Sequence, residues 1–185
     1  MDNDVSAGAT TTIVGRLALG ITLLAFGLGH TDVIDGVTAA DAVSIAQYVG
    51  GIALFVAGLM AFRDRDTANG TAFAALGALW FTWAVSDAGS ANAAGLFLTL
   101  FALVALSLTL AGGDQLGQGS YGLFFVALVL MAIARFADND GLTKVGGWFA
   151  VAAGAVAWYA ATAAMAHWPT VLPRRAAGRG VTATG

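Results

Sequence analysis

The chain has 185 residues, of which 58% are hydrophobic and 10% are charged, and its net charge is −3. Soluble domains are about 45–50% apolar and about 25% charged. This composition therefore excludes a water-soluble enzyme, a nucleic-acid-binding protein and a disordered chain, and it indicates a protein that crosses a membrane several times. Cysteine is absent, which excludes disulfides, thiolate metal sites and cysteine nucleophiles.

Six apolar stretches approach the roughly 20 residues that a membrane-spanning helix needs. In chain order they cover residues 13–28, 42–62, 71–86, 91–111, 121–136 and 145–167. We therefore predict an all-α bundle of six membrane helices over residues 13–167, between an N-terminal tail of residues 1–12 and a C-terminal tail of residues 168–185. The short connections leave no room for a separate catalytic domain.

The distribution of arginine predicts how the bundle is oriented, because Lys and Arg concentrate in cytoplasmic loops. The loop after the second span holds Arg63 and Arg65, and the C-terminal tail holds Arg174, Arg175 and Arg179. Both segments then face the cytoplasm, and so do both termini, since an even number of spans returns the chain to its starting side. We predict a multi-pass protein of the plasma membrane.

Two arginines near span ends are candidates for the charge at a pore mouth. Arg16 lies one turn inside the first span, and Arg135 lies at the other face, near the end of the fifth span. Each would attract an anion there. The alternatives are a snorkelling side chain for Arg16 and an interfacial ion pair with Asp138 or Asp140 for Arg135. No charged residue lies midway through any span, so a buried proton relay is not predicted.

The histidines give no support for a cofactor. His30 and His167 are predicted at opposite faces of the membrane, too far apart to ligate one haem iron, and an interfacial position explains both. The sequence also has no P-loop, metalloprotease motif, serine-hydrolase motif or dinucleotide fingerprint. We therefore expect neither a cofactor nor a metal, and we expect that the protein is not an enzyme.

Three stretches of the sequence are similar to a known transporter family. The runs GGIALFVAGLMAF (50–62), TAFAALGALWFTW (71–83) and GGWFAVAAGAVAWYAA (146–161) resemble the SatP-like, YaaH-type acetate uptake transporters, or acetate/succinate–proton symporters. The residues that match the family's packing motifs are Gly50, Gly51, Gly58, Gly77, Trp80 and Trp148. The resemblance implies a homo-oligomer, a hexamer of six-helix protomers, in which each protomer has its own pore for monocarboxylates or succinate.

The resemblance also places a pore constriction at Leu19, Leu76 and Phe124. All three lie on spans that run from the inner to the outer face, at similar depths, so they could form one ring that gates by dewetting. The alternative is that they are ordinary packing residues. The candidate polar contacts for a permeating solute are the hydroxyl groups of Thr22, Thr71 and Thr99.

The chain departs from the family pattern at several positions, so we predict a divergent member. The family's Asn-Pro-Ala-Pro signature falls on the sequence TTTI at residues 10–13, and Leu54 and Ala61 stand where the family has a glutamine and an acidic residue. The predicted function is channel-like or proton-coupled permeation of acetate, other small monocarboxylates or succinate across the lipid bilayer. Two alternatives remain open: a neutral-solute channel of the urea/amide type, and a non-transporting membrane scaffold or stress protein.

Overall fold

Long helices dominate the computed structural model, which describes residues 7–86 and 89–168. Six of them run through these residues: α1 (Ala7–Gly29), α2 (Val43–Arg63), α3 (Thr67–Val85), α4 (Ala91–Leu110), α5 (Gln115–Ala137) and α6 (Asp140–Ala166). Five of these helices, all except α3, are long and apolar enough to cross a membrane. The predicted all-α membrane fold is thereby confirmed.

The helix bounds lie close to the predicted spans, and the largest differences are at the N-terminal ends. α1 begins at Ala7, so the last residues of the predicted N-terminal tail are helical. Residues 1–6, 87–88 and 169–185, including the three arginines of the predicted C-terminal tail, lie outside the described residues.

Polar side chains fix where four of the helices begin. The side chains of Asp66, Ser90, Asp114 and Asn139 each accept a hydrogen bond from a backbone N–H in the first turn of α3, α4, α5 and α6, respectively. Such caps satisfy backbone donors that the helix itself leaves without a partner. They explain how apolar helices can follow one another after only a few residues.

Successive helices run in opposite directions, which gives the bundle two distinct ends. One end, here the Arg16 end, brings Arg16 together with the start of α3 and the turn between α4 and α5. The other, here the His30 end, brings His30 together with the end of α5 and the start of α6. Because α1 starts and α6 finishes at the Arg16 end, both termini of the helical bundle lie there.

α2 is interrupted by a π-helical segment over Ala46–Ala53, which holds the paired glycines of the family motif. A Cβ added at Gly50 would lie 2.5 Å from Cγ2 of Thr22 on α1, and one added at Gly51 would lie 2.9 Å from Cβ of Phe81 on α3. The missing side chains therefore let the widened π turn contact both neighbouring helices. Short π segments are frequent at functional sites.

Glycines also mark the closest helix contacts elsewhere, as expected for helices that associate without a hydrophobic driving force. Along the α2–α3 seam, a Cβ at Gly58 would lie 2.5 Å from the backbone nitrogen of Ala74. One at Gly77 would lie 2.6 Å from the backbone nitrogen of Phe55. Along the α1–α6 seam the close approaches are at Gly20, Gly27, Gly147 and Gly154. Trp148, by contrast, is half exposed on the outer surface.

Candidate functional site

An aromatic cluster fills the core of the bundle. Its members are Phe26, Trp80, Phe101 and Phe124, all almost fully buried and contributed by α1, α3, α4 and α5. Trp80 stacks on Phe124 with ring centroids 5.6 Å apart and 20° between the planes, and Phe101 meets Phe124 edge-on at 5.2 Å. Stacked and edge-on pairs at these distances are favourable, so the rings form one interlocked apolar barrier.

The residues of the predicted constriction lie in the same core. Leu19, Leu76 and Phe124 are all buried, and Phe124 belongs to the aromatic cluster. The structure thus places all three in one core cluster, which also contains many residues with an ordinary packing role. The ring itself stays a prediction.

At the His30 end a cavity of about 80 Å³ opens next to the aromatic cluster. We call it the His30 cavity. Its walls combine aromatic and apolar side chains with a few polar groups, among them Phe26, His30, Trp83, Phe97, Arg135 and Thr143. Phe26 belongs both to the cavity wall and to the aromatic cluster, so the cavity leads directly to the apolar barrier.

The hydrogen bond of His30 determines which ring nitrogen is available. Nδ1 lies 2.7 Å from the carbonyl oxygen of Phe26, and because a carbonyl only accepts, Nδ1 carries the hydrogen. Nε2 is then the nitrogen that accepts or donates according to the charge of the ring. Burial lowers the pKa of His30 despite the bond to Phe26, the charge of Arg135 lowers it further, and that of Asp32 opposes the change.

Arg135 lines the His30 cavity and forms no ion pair with another described residue. The nearby Lys144 is different, since its Nζ lies 3.0 Å from a carboxylate oxygen of Asp32. The ion pair with Asp138 or Asp140 that the sequence offered as the alternative for Arg135 is not formed in the described part of the chain.

A larger cavity, of about 590 Å³, opens at the Arg16 end. Its polar lining comes from α1, α3 and α5, with Arg16, Asn69, Thr71, Asp114, Gln118 and Tyr121. We call it the Arg16 cavity. The Arg16 side chain forms an ion pair with Asp114, the residue that caps α5. Arg16 is therefore held at a cavity mouth by a carboxylate of the protein.

Asp66, which caps α3 at the Arg16 end, has a lowered pKa. Burial acts to raise its pKa, but hydrogen bonds from the side chain and backbone of Asn69 and from the Thr12 hydroxyl, together with the charge of Arg16, outweigh that effect. The shortest of these bonds joins Nδ2 of Asn69 to Oδ2 of Asp66 at 2.6 Å. These contacts tie the first turns of α1 and α3 together.

The three threonines predicted as polar contacts lie in different surroundings. Thr71 lines the Arg16 cavity. Thr22 is buried, and its hydroxyl donates to the Ala18 carbonyl at 2.8 Å. Thr99 is exposed, donates to the Gly95 carbonyl at 2.9 Å and lines neither of the two described cavities. Thr71 is therefore the one of the three that lines either of these two cavities.

A different polar group lies in the core itself. Nε1 of Trp80 is buried and has no hydrogen-bond partner among the described residues. Buried donors are nearly always paired in native proteins, so this indole N–H is an available donor inside the aromatic cluster.

Sequence reasoning assigned no role to His30 and did not single out Asp114 or the Trp80 N–H. A signal for His30 was available: with antiparallel spans, the end of the first span and the end of the fifth lie at the same face, which brings His30 near Arg135. No comparable signal points to the indole N–H, because its isolation depends on the packing of four helices.

Comparison with known proteins identifies the family. Residues 5–172 match the model of the GPR1/FUN34/yaaH family. The chain belongs to this family. It is 29% identical over 162 residues to the succinate-acetate/proton symporter SatP of Escherichia coli K12, covering 80% of this chain and 84% of SatP. The resemblance inferred from the sequence is thereby confirmed.

Other relatives extend the range of the comparison. The glyoxylate pathway regulator of Yarrowia lipolytica is 25% identical over 170 residues, which cover 83% of this chain but 63% of that longer protein. The ammonia transport outward protein 2 of Saccharomyces cerevisiae is 29% identical over 143 residues, which cover 67% of this chain and 50% of that protein. The structure of the bacterial acetate channel SatP superposes with a TM-score of 0.78 at 24% identity, over 85% of this chain and 92% of the channel. The chain therefore has the SatP fold.

Proposed function

We propose that this protein carries small monocarboxylates such as acetate, or succinate, across the membrane. The observation that carries the proposal is a cavity at each end of the bundle, separated by the apolar core that holds the aromatic cluster. The family and the likeness to SatP over most of both chains support this class of solute. A solute would pass from the His30 cavity, through the aromatic cluster, to the Arg16 cavity.

The apolar core limits how a carboxylate can cross. An isolated carboxylate in an apolar interior costs tens of kcal/mol in lost hydration. The acid therefore crosses either in its neutral form or with donors that replace water. The Trp80 N–H is one such donor within the core. Both routes suit a channel-like path or one in which a proton accompanies the anion.

We further propose that all six helices span the plasma membrane, with both termini in the cytoplasm. α3 packs along α2 at Gly58 and Gly77 and extends from the Arg16 cavity to the His30 cavity, which supports a sixth crossing. Arg63 is the last residue of α2 and Arg65 follows it at the Arg16 end, which supports a cytoplasmic location for that end. Exposed leucines on α4 suit contact with lipid or with neighbouring protomers of a hexamer.

The experiment that tests the proposal is uptake of labelled acetate by proteoliposomes that contain the full chain. Leu76→Ala should increase the uptake rate, because it removes apolar atoms from the predicted constriction. Leu100→Ala on α4 is a matched control, since Leu100 is half exposed on the outside of the bundle. Equal rates for the two variants and the unchanged chain would count against the ring of Leu19, Leu76 and Phe124.

A neutral-solute channel is the second candidate function. It is favoured by the charge-free aromatic cluster and by the relative that is named as an ammonia transporter. Vesicles should be tested with acetate, succinate, urea and ammonium, each with and without a pH gradient. Uptake of acetate that urea does not inhibit supports the carboxylate proposal. Permeation of none of these solutes would favour a scaffold or stress protein.

A further inference from the structure

We propose that the His30 cavity is a carboxylate-binding site in which Arg135 pairs with the substrate anion and His30 supplies the proton with which it enters the core. The inference rests on the proposed function and names the substrate class and the residues of its entry site. It is drawn from the juxtaposition of a cation, a titratable ring and an apolar wall around one cavity.

Arg135 has the properties of an anion anchor. It lies in the last turn of α5, lines the cavity and forms no ion pair with another described residue. The other cation at this face, Lys144, is occupied by Asp32. A guanidinium without a carboxylate partner binds a substrate carboxylate through two parallel hydrogen bonds more strongly than an ammonium does.

The remaining walls suit the other end of a small acid. Phe26, Phe97 and Met131 line the same cavity with apolar surface, which would contact the methyl group of acetate. One water needs on the order of 10–15 Å³ of cavity volume. The volume of about 80 Å³ is therefore sufficient for a small acid that keeps part of its hydration.

His30 can transfer a proton because its hydrogen bond fixes the role of each nitrogen. Nδ1–H donates to the Phe26 carbonyl in both charge states, so only Nε2 gains or loses a proton. In the charged ring, Nε2–H passes its proton to a carboxylate oxygen, which leaves a neutral imidazole and a neutral carboxylic acid. A hydronium ion from the solvent at the cavity mouth then returns a proton to Nε2 and is left as water. No other bond is made or broken.

This transfer lowers the cost of the next step. The neutral acid enters the aromatic cluster without the large penalty of a buried anion. Burial also lowers the pKa of His30, which brings it nearer to that of a carboxylic acid and makes the transfer less uphill.

Among the described residues, two charged groups shift the pKa of His30, in opposite directions from its ordinary value. Arg135 acts on it from α5 and Asp32 from the loop after α1, while Lys144 on α6 is paired with Asp32. The described residues of α3 and α4 that line the cavity are uncharged: Trp83, Ser86, Ala94, Phe97 and Leu98.

The test is acetate uptake by proteoliposomes of the full chain, with KM and maximal rate measured between about pH 5 and about pH 7.5. This range extends further below the ordinary histidine pKa near 6.5 than above it, because burial lowers the pKa of His30. Arg135→Gln should raise KM about tenfold, the effect of one lost charge-assisted contact, with little change in the maximal rate. The KM of Arg135→Lys should lie between that of the unchanged chain and that of Arg135→Gln. Lys144→Gln is the matched control and should keep the KM of the unchanged chain.

His30→Gln should flatten the rise in maximal rate toward acid pH, whereas His167→Gln, at the exposed end of α6, should keep it. If the unchanged chain transports acetate but Arg135→Gln keeps its KM, the binding site is refuted while the proposed function stands. If Arg135→Gln raises KM but His30→Gln keeps the pH profile, proton supply by His30 is refuted. Absence of uptake by the unchanged chain would instead refute the proposed function.

Discussion

A methyl group added at Gly77 would occupy space that the backbone of α2 already fills. An ideal Cβ at Gly77 lies 2.6 Å from the backbone nitrogen of Phe55 and 2.8 Å from its Cα, whereas ordinary van der Waals contact begins at 3.4 Å. The obstruction is backbone, so no side-chain rotation relieves it, and α2 and α3 must separate by most of an ångström. Overpacking of this kind costs about 1–3 kcal/mol, and the better helix propensity of alanine offsets at most about 1 kcal/mol.

The measurement is the Tm of Gly77→Ala in detergent, with thermal unfolding monitored by the helical circular dichroism signal. For a chain of this length, each kcal/mol of lost stability lowers the Tm by roughly 2–4 °C. We therefore expect a clear decrease in the Tm of Gly77→Ala. Gly119→Ala is the matched control, because Gly119 is also helical but, apart from its chain neighbours and the backbone of its own helix, no described atom lies within 4 Å of its added Cβ. Its Tm should stay constant or rise. If both variants behave alike, the α2–α3 approach is not as close as the structure has it.

Variants at two further residues, Trp80 and Asp66, test the core and the Arg16 end. Trp80→Phe keeps an aromatic ring beside Phe124 and removes an N–H that has no partner among the described residues. It should lower the free energy of unfolding by no more than about 1 kcal/mol, against about 3–5 kcal/mol for Trp80→Ala. Similar decreases in Tm for the two variants would show that the N–H is paired. Asp66→Ala removes the cap of α3 and should cost about 0.5–2 kcal/mol. Because the hydrogen bonds of Asn69 and Thr12 lower the pKa of Asp66, its carboxylate stabilises the fold above the ordinary Asp pKa of about 3.9. This contribution is lost as the pH falls through the lowered pKa, so Asp66→Asn should weaken the decrease of Tm in acid, and an unchanged acid profile would contradict the assignment.

The sequence allowed the helices to be placed because each apolar stretch is long and is bounded by polar residues. The first residues of the helices were predicted less well, because each predicted span began at the first strongly apolar residue of its stretch. α5 starts at Gln115 rather than Tyr121, because Asp114 caps it. The first turns of α1 contain threonines, and the Thr11 hydroxyl donates to Asp64 at 2.8 Å. Contacts of that kind are tertiary and have no periodic signal.

The site was predictable only in part for a related reason. The residues of the predicted constriction came from the family resemblance, and their similar depths along spans of one direction agreed with it. Leu19, Leu76 and Phe124 do share one core. The π segment over Ala46–Ala53 could not be foreseen, because it changes the hydrogen-bond register and leaves the apolar pattern unaltered. The His30 cavity depends on four helices that converge at one end, which no single span encodes.

The two ends of the bundle hold their arginines differently, and this difference makes them unequal as entry sites for an anion. Arg16 is paired with Asp114, so a carboxylate that arrives at the larger cavity must compete with one that is already in place. Arg135 lines the smaller cavity without such a partner among the described residues. On the proposed function, an anion is therefore captured more readily at the His30 end. At the Arg16 end the anion meets an arginine that is already paired, beside a volume large enough for water to rehydrate it, and we expect this to favour its release.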